Sequence, residues 1–147
     1  MTFPLSPDIF LAQSDAELDA CFDAYAVLRP HLTRDRFVPQ VRRQEAQGFQ
    51  ILGLRDEGRV KSAAGFRLAE FMAWGRVLYI DDLTTLPEAR GQGFAGLLLD
   101  WLAEYARQQG CQAVHRTPAT HATLRTVFTS ARGSSSVLTT CQAHRVR

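Results

Sequence analysis

The residues best placed to do chemistry lie in one short stretch, from Leu83 to Gly96. Two glycines, Gly91 and Gly93, stand between an apolar segment that breaks at Pro87 and an amphipathic segment that follows. Glycine lets the backbone N–H groups of a loop approach a ligand closely. A helix N-terminus adds unpaired N–H donors and the positive end of the helix dipole. The stretch is therefore predicted to bind an anionic phosphate group, and the alternative is a plain tight turn.

Two adjacent carboxylates, Asp81 and Asp82, come directly before this stretch. A carboxylate beside a bound substrate can hold an ammonium group or take its proton, directly or through water. Successive side chains of a regular strand point to opposite faces, so at most one of the pair is expected to face a given cleft. The residues do not decide which one. A surface acid, or a cap for neighbouring backbone, is the alternative for either.

Composition predicts one soluble globular domain over residues 1–147. The chain is 46% apolar and 22% charged, with a formal net charge of +2. So small a charge gives no reason to expect nucleic acid or a membrane surface as a partner, and no apolar run approaches the length of a membrane span. The N-terminal residues lack the pattern of a signal peptide. Three widely spaced cysteines, Cys21, Cys111 and Cys141, form no metal-ligand pattern and favour a reducing, cytoplasmic location.

Hydrophobic spacing predicts the first elements of the fold. A short strand over Ile9–Gln13 is followed by Ser14, an expected N-cap whose capping box is completed by Glu17. A first helix extends towards Pro30, and a more polar second helix runs from about Arg34 to Gln47. The apolar residues of the first helix lie at helical spacing: Leu18, Cys21, Phe22, Tyr25 and Leu28.

The middle of the chain predicts an antiparallel meander followed by a long helix. Its three strands are Phe49–Leu54, Val60–Phe71 and Arg76–Leu86, and Asp56-Glu57-Gly58-Arg59 is a hairpin turn signal. The helix after the glycines ends near Gly110, and a further strand begins over Cys111–His115. Its expected buried face comprises Phe94, Leu97, Leu98, Trp101, Leu102 and Tyr105.

This order of elements predicts an α/β fold with a mixed, mostly antiparallel sheet flanked by helices. It does not match a Rossmann fold, in which the glycine-rich turn follows the first strand. A nucleotide-binding protein of the P-loop type is also disfavoured, because the loop lacks the lysine and the Ser or Thr of that motif.

With these residues in place, the chain resembles the GNAT superfamily of acyl-CoA-dependent N-acetyltransferases. The family motif is Arg or Gln, two residues, Gly, one residue, then Gly or Ala. The run Arg90-Gly91-Gln92-Gly93-Phe94-Ala95 matches it in full. The upstream element order matches too, so the resemblance covers about Ile9 to His115.

The resemblance implies acetyl-CoA as co-substrate, without a metal. Backbone N–H groups of the loop would hold the CoA pyrophosphate, and the end of the preceding strand would pair with the pantetheine arm where that strand splays from its neighbour. A backbone amide near Leu83 would polarise the thioester carbonyl. The candidates for catalysis are thus Asp81, Asp82 and Leu83. The candidates for cofactor binding are Leu83, Thr84, Thr85, Arg90, Gly91, Gln92, Gly93, Phe94 and Ala95.

The function implied is transfer of an acetyl group from acetyl-CoA to a primary amine, with a small molecule as the expected acceptor. An antibiotic or a protein N-terminus stays open as acceptor. Dimers are common among proteins of this kind, so a homodimer is left open as well. The alternative function is a non-catalytic acyl-CoA-binding module or an inactive pseudoenzyme.

Residues 116–147 depart from the family pattern. They are rich in Thr, Ser, Ala and Arg and have weak periodicity. The family expects a strand, a helix with a Tyr that protonates the CoA sulfur in many members, and two final strands. No tyrosine follows Tyr105. The C-terminal helix and strands are therefore expected to be disrupted. The absent tyrosine favours the pseudoenzyme, whereas Asp81, Asp82 and the complete loop favour the enzyme.

The genetic code suggests a cause. When the third base of each tail codon is read with the first two bases of the next, Phe128 followed by Thr129 must give Tyr or His. From Arg116 onwards, the shifted frame permits D-S-G-Y-x-R-H-A-A-H-R-L-Y-L-x-x-G-F, which is similar to the missing family segment. Our hypothesis is that a one-base frameshift near His115 and Arg116 replaced the native C-terminus.

Overall fold

Capped helices and paired strands account for most of the chain in the computed structural model, which describes residues 7–116 with side chains and the backbone of residues 123–131 and 134–142. The strands are β1 (Asp8–Leu11), β2 (Phe49–Asp56), β3 (Arg59–Phe71), β4 (Gly75–Thr85), β5 (Ala113–Arg116), β6 (Thr123–Ala131) and β7 (Ser134–Gln142). The α-helices are α1 (Asp15–Ala20), α2 (Phe22–Leu28), α3 (Arg34–Glu45) and α4 (Phe94–Gln108), and a 3₁₀ turn spans Pro87–Ala89.

The strands form one sheet in chain order, from β1 to β7. All neighbours are antiparallel except β4 and β5, which are parallel because α4 crosses over between them. The prediction of a mixed, mostly antiparallel α/β sheet flanked by helices is confirmed. No helix among the described residues is long and apolar enough to cross a membrane.

Helices cover both faces of the sheet. A Cβ built on Gly65 of β3 would meet Tyr25 of α2 and Phe49 of β2, whereas the next residue, Phe66, packs edge-on against Tyr105 of α4. Since successive strand residues point to opposite faces, α2 and α3 lie on one side and α4 on the other. The core fills both layers with fully buried side chains that include Leu18, Ile51, Leu52, Leu54, Phe66, Leu78, Ile80, Leu98 and Leu102.

The expected capping box at the start of α1 is present. The Ser14 hydroxyl accepts a hydrogen bond from the Glu17 N–H at 3.1 Å, and the Glu17 carboxylate accepts one from the Ser14 N–H at 3.0 Å. The single helix expected here is wrong, however, because the chain breaks at Cys21 into α1 and α2. Helical spacing continues across this break, so apolar periodicity alone does not reveal it.

The hairpin signal between β2 and β3 is also confirmed. Asp56 pairs with Arg59, and the two turn residues between them, Glu57 and Gly58, have φ of 52° and 75°. Positive φ at both central positions is the type I′ conformation that suits a two-residue hairpin. This turn places β3 in register between β2 and β4, the strand that carries both candidate carboxylates.

The buried stripe of α4 differs from the expected one at Leu97. Phe94, Leu98, Leu102 and Ala106 are buried, with Trp101 and Tyr105 packed partly against the core. Leu97 is 42% exposed, so the prediction that it is buried is wrong. The stripe follows strict four-residue steps from Phe94, and Leu97 lies just beside it.

The described part of the tail consists of two antiparallel strands, β6 and β7. β6 pairs with β5 on one side and with β7 on the other, both antiparallel. Within residues 123–131 and 134–142 the backbone is extended, where the family pattern expects a helix before its last two strands. The expectation that the C-terminal part departs from the family arrangement agrees with this backbone.

Candidate active site

The glycine loop joins the end of β4 to the start of α4. Gly91 and Gly93 have φ of +80° and +81°, a left-handed conformation that side chains other than glycine rarely adopt. A Cβ built at either position would meet nothing within 4 Å, so the space in front of the loop is open. Gly93 is the N-cap of α4 and provides no side-chain cap. The first N–H groups of α4 therefore lack intrahelical acceptors and are available to an anion.

The end of β4 has one open edge. Its pairing with β5 ends at Ile80 and Arg116 among the described residues, while its pairing with β3 continues to Thr85. The Leu86 N–H donates to the Lys61 carbonyl of β3 at 2.8 Å. Because antiparallel pairs alternate in the direction of their main-chain groups, the N–H and C=O of Thr85 and Leu83 point away from β3, towards the open edge.

Buried hydroxyl groups hold this part of β4 in place. The Thr84 hydroxyl donates to the Ala24 carbonyl of α2 at 2.8 Å. The Ser62 hydroxyl donates to the Thr84 carbonyl at 2.8 Å and lies 2.9 Å from the Thr85 hydroxyl. These hydrogen bonds fix the strand beside the opening, where no strand of the described residues pairs with it beyond Ile80.

A cleft of about 340 Å³ lies along this open edge, and we call it the β4 cleft. It brings together several residues that the sequence singled out: Leu83, Thr84, Thr85, Arg90 and Ala95. The remaining lining residues are Val27, Leu28, Leu99 and Arg116. Two guanidinium groups, from Arg90 and Arg116, therefore border a mainly apolar channel that ends at a helix N-terminus.

A β-bulge in β4 sets the positions of Asp81 and Asp82. Asp82 lies opposite Gly65 and Ile80 lies opposite Phe66, so Asp81 is an extra residue with no partner on β3. The alternation expected for a regular strand therefore does not apply here. Both carboxylates reach basic groups on the α2–α3 side of the sheet: Asp81 contacts Arg67 and Asp82 contacts Arg29.

The two ion pairs differ in which carboxylate oxygens they leave without a hydrogen bond. Arg67 donates to both oxygens of Asp81, through Nε at 3.3 and 3.1 Å and also through Nη2. Arg29 donates twice to Oδ1 of Asp82, from Nε at 3.0 Å and from Nη2 at 2.7 Å. Among the described residues, no hydrogen bond reaches Oδ2 of Asp82. Asp82 therefore keeps one oxygen without a hydrogen bond from the described residues, whereas both oxygens of Asp81 accept from Arg67.

A second cavity, of about 220 Å³, lies between α2, α3 and the sheet, and we call it the α2–α3 pocket. Its lining is mostly apolar or uncharged, with Asp82 and Arg29 as the charged exceptions: Tyr25, Arg29, His31, Leu32, Phe37, Gln40, Val41, Gln44, Phe49 and Asp82. Asp82 thus lies in the α2–α3 pocket while the next residue, Leu83, lines the β4 cleft.

Tyr25 is a residue of this site that sequence reasoning counted only as core. Its side chain is buried, and its hydroxyl has no hydrogen-bond partner among the described residues. Burial raises the pKa of Tyr25 well above 10, and the nearby charges of Asp82 and Asp81 add to the effect. A Cβ on Gly65 would lie only 2.1 Å from the Tyr25 hydroxyl oxygen, so glycine is required there. The small residues Ala63, Ala64 and Gly65 were the sequence signal of this close approach.

Two aromatic residues near the sheet have structural roles. Trp74 stacks on His115 with ring centroids 4.2 Å apart, which agrees with packing rather than substrate binding. About nine strand residues separate Trp74 from Leu83, which corresponds to roughly 30 Å along β4.

Within the described part of the chain, no cluster of His, Cys, Asp and Glu could hold a metal ion.

Comparison with known proteins gives the family. The sequence model of the acetyltransferase (GNAT) family matches residues 14–126. No curated protein sequence matches the chain significantly. Many solved structures are similar to this chain, and three of them are described next.

A GNAT family acetyltransferase from Staphylococcus aureus has a TM-score of 0.69 at 16% identity, covering 79% of this chain and 89% of its own. A ribosomal-protein-alanine N-acetyltransferase from Brucella melitensis has a TM-score of 0.68 at 19% identity, covering 78% and 82%. An aminoglycoside N-acetyltransferase, solved in complex with CoA, has a TM-score of 0.66 at 14% identity, covering 81% and 82%. At these identities the structures establish the fold alone.

The open strand edge, the glycine loop and the N-terminus of α4 thus lie together at the end of β4. The chain belongs to the GNAT acetyltransferase family.

Proposed function

We propose that this chain transfers an acetyl group from acetyl-CoA to a primary amine of a small molecule. The observation that carries the proposal is the open edge of Leu83–Thr85, which leads directly to the glycine loop and the N-terminus of α4. Acetyl-CoA combines an extended amide-bearing arm with an anionic pyrophosphate. The arm would pair with a strand edge and the pyrophosphate would bind helix N–H donors.

Different residues of the β4 cleft would bind different parts of acetyl-CoA. The N–H groups from Gly91 to Ala95 would hold the pyrophosphate, with the Arg90 guanidinium adding positive charge at the same end. The main-chain groups of Leu83 and Thr85 would pair with the pantetheine arm. The Leu83 N–H would donate to the thioester carbonyl oxygen and stabilise the negative charge that develops there.

The amine would occupy the α2–α3 pocket. Oδ2 of Asp82 would accept a hydrogen bond from the substrate ammonium group and take its proton, because only the neutral amine is a nucleophile. The amine nitrogen then attacks the carbonyl carbon. A C–N bond forms, the nitrogen releases its second proton to solvent, the C–S bond breaks, and its electron pair leaves with the CoA sulfur as a thiolate.

The thiolate would receive its proton from solvent, since the chain has no tyrosine after Tyr105 to serve as the acid. A thiol such as cysteine has a pKa of about 8.5, so its thiolate leaves near neutral pH with little assistance. Loss of the acid is therefore expected to slow the reaction rather than abolish it. A thiolate that leaves without an acid favours the enzyme over the non-catalytic alternative.

The test is release of free thiol from acetyl-CoA in the presence of a panel of primary amines. The panel includes amino acids, arylalkylamines, polyamines, amino sugars and short peptides. Amine-dependent thiol release, with a matching acetylated product by mass spectrometry, would support the proposal. Binding of acetyl-CoA without release by any amine class would support the non-catalytic alternative instead.

A further inference from the structure

We infer that the accepted amine belongs to a small molecule with its own carboxylate, an α-amino acid, and that Arg29 is the residue that selects for it. The inference rests on the proposed function, in which Asp82 holds the ammonium group. It concerns the chemistry of the α2–α3 pocket and is independent of how the β4 cleft binds the acyl carrier.

The charges around the pocket favour a substrate with one ammonium group and a balancing negative charge. Among the described residues that line the pocket, Asp82 is the one carboxylate, and the Asp81 carboxylate, which does not line it, accepts from Arg67 through both oxygens. Asp82 offers Oδ2 alone. A polyamine would therefore place its further positive charges beside Arg29 without a carboxylate to meet them, which is unfavourable in a partly desolvated pocket.

Arg29 and Asp82 place opposite charges side by side in the pocket. Nη2 of Arg29 lies 2.7 Å from Oδ1 of Asp82, and both residues line the pocket. An α-amino acid carries its ammonium and carboxylate groups on one carbon, so the two groups can reach adjacent partners of opposite charge. Arg29 uses two of its five N–H donors on Asp82, and a guanidinium can bind a second carboxylate through its remaining donors.

The size and walls of the pocket limit which substrate side chains can fit. Its volume of about 220 Å³ is below the roughly 300–1,000 Å³ that is typical of sites for drug-sized ligands. Three aromatic rings, from Tyr25, Phe37 and Phe49, form much of the wall. Packing against these rings buries apolar area, and this stabilises an apolar or aromatic group most. The walls therefore fit an apolar or aromatic side chain.

The test measures binding to the intact chain in the presence of saturating CoA, which cannot acetylate. Calorimetry compares apolar and aromatic amino acids with their decarboxylated amines, for example phenylalanine with phenethylamine, and includes spermidine. We expect at least one amino acid to bind about tenfold or more tightly than its decarboxylated amine, because a charged hydrogen-bond pair is lost. Arg29→Gln should reduce this ratio to near one and leave CoA affinity unchanged.

The control variant is Arg34→Gln. Arg34 is an arginine on α3 whose ion pairs, to Asp19 and Asp23, lie outside the pocket, so its removal should leave the ratio unchanged. The inference is overturned if spermidine or a decarboxylated amine binds as tightly as every amino acid, if Arg29→Gln keeps the ratio, or if CoA binds and no amino acid does. Failure of CoA itself to bind would contradict the proposed function.

Discussion

Asp81 and Asp82 are neighbours in β4, yet both carboxylates engage arginines on the α2–α3 side of the sheet. The bulge opposite Gly65 and Phe66 produces this arrangement, because the extra residue interrupts the alternation of side chains. The consequence is a division of labour. Both oxygens of Asp81 accept from Arg67, whereas Oδ2 of Asp82, which lines the α2–α3 pocket, accepts no hydrogen bond from the described residues.

This division predicts opposite outcomes for two matched substitutions. Asp82→Asn should lower kcat/KM for the accepted amine by about 100-fold or more, since a positioned general base contributes on the order of 10²–10⁴. Asp81→Asn should mainly lower stability, because it leaves the part-buried Arg67 guanidinium without its partner. Steady-state kinetics and urea unfolding of both variants separate the two effects. A larger kinetic loss for Asp81→Asn would reverse the assignment.

The unpartnered hydroxyl of Tyr25 predicts a stabilising substitution. Tyr25→Phe should raise the free energy of unfolding by about 1 kcal/mol, because a buried polar group without a hydrogen bond is costly. Tyr105→Phe, on the opposite face of the sheet, is the control and should change stability by less than about 0.5 kcal/mol. A clear loss of stability in Tyr25→Phe would show that the hydroxyl has a partner, such as an ordered water molecule.

Alkaline pH should destabilise the fold through Cys21. Burial raises the pKa of this thiol from 9.0 to about 12. Above pH 9 the unfolded chain releases the proton while the folded chain keeps it, so the stability present below pH 9 is lost progressively towards pH 12. Urea unfolding at pH 8 and pH 10.5 should therefore show a smaller loss in Cys21→Ala than in the parent chain. Equal losses in the two proteins would contradict this role of the thiol.

The sequence predicted the elements whose signals are local. The Ser14 capping box, the turn at Glu57 and Gly58, and the order of strands around α4 all depend on residues close together in the chain. The sequence did not predict the helix break at Cys21 or the exposure of Leu97, because both depend on how the helices pack against the sheet. Packing decides between adjacent positions of an apolar stripe, and periodicity alone cannot.

The site was predictable only in part for the same reason. The glycine loop follows from a contiguous motif, and the open edge of Leu83–Thr85 follows from the family resemblance. The shared face of Asp81 and Asp82 depends on a bulge, which is a property of the pairing between two strands and not of either strand alone. The contact of Arg29 with Asp82 joins residues 53 positions apart, and nothing local indicates it.

The frameshift hypothesis predicts that restoring the frame after His115 improves the protein. The restored version would regain a family-like segment, with a tyrosine or a histidine where the shifted frame reads Phe128 with Thr129. We expect a higher melting temperature and faster acetyl transfer than in the present chain. Equal turnover by both versions would refute the functional part of the hypothesis. A gene sequence whose shifted frame does not spell the motif would refute the frameshift itself.

The central claim is that the glycine loop and the open edge of β4 bind acetyl-CoA, and calorimetry with paired glycine variants tests it. Gly91→Ala and Gly110→Ala impose the same kind of strain, since both residues have positive φ and open space at Cβ. Both should lose roughly 1–2 kcal/mol of stability. The parent chain and Gly110→Ala should bind one acetyl-CoA with similar affinity, and Gly91→Ala should bind it at least tenfold more weakly. No binding by the parent chain, or equal affinity in both variants, would contradict the account.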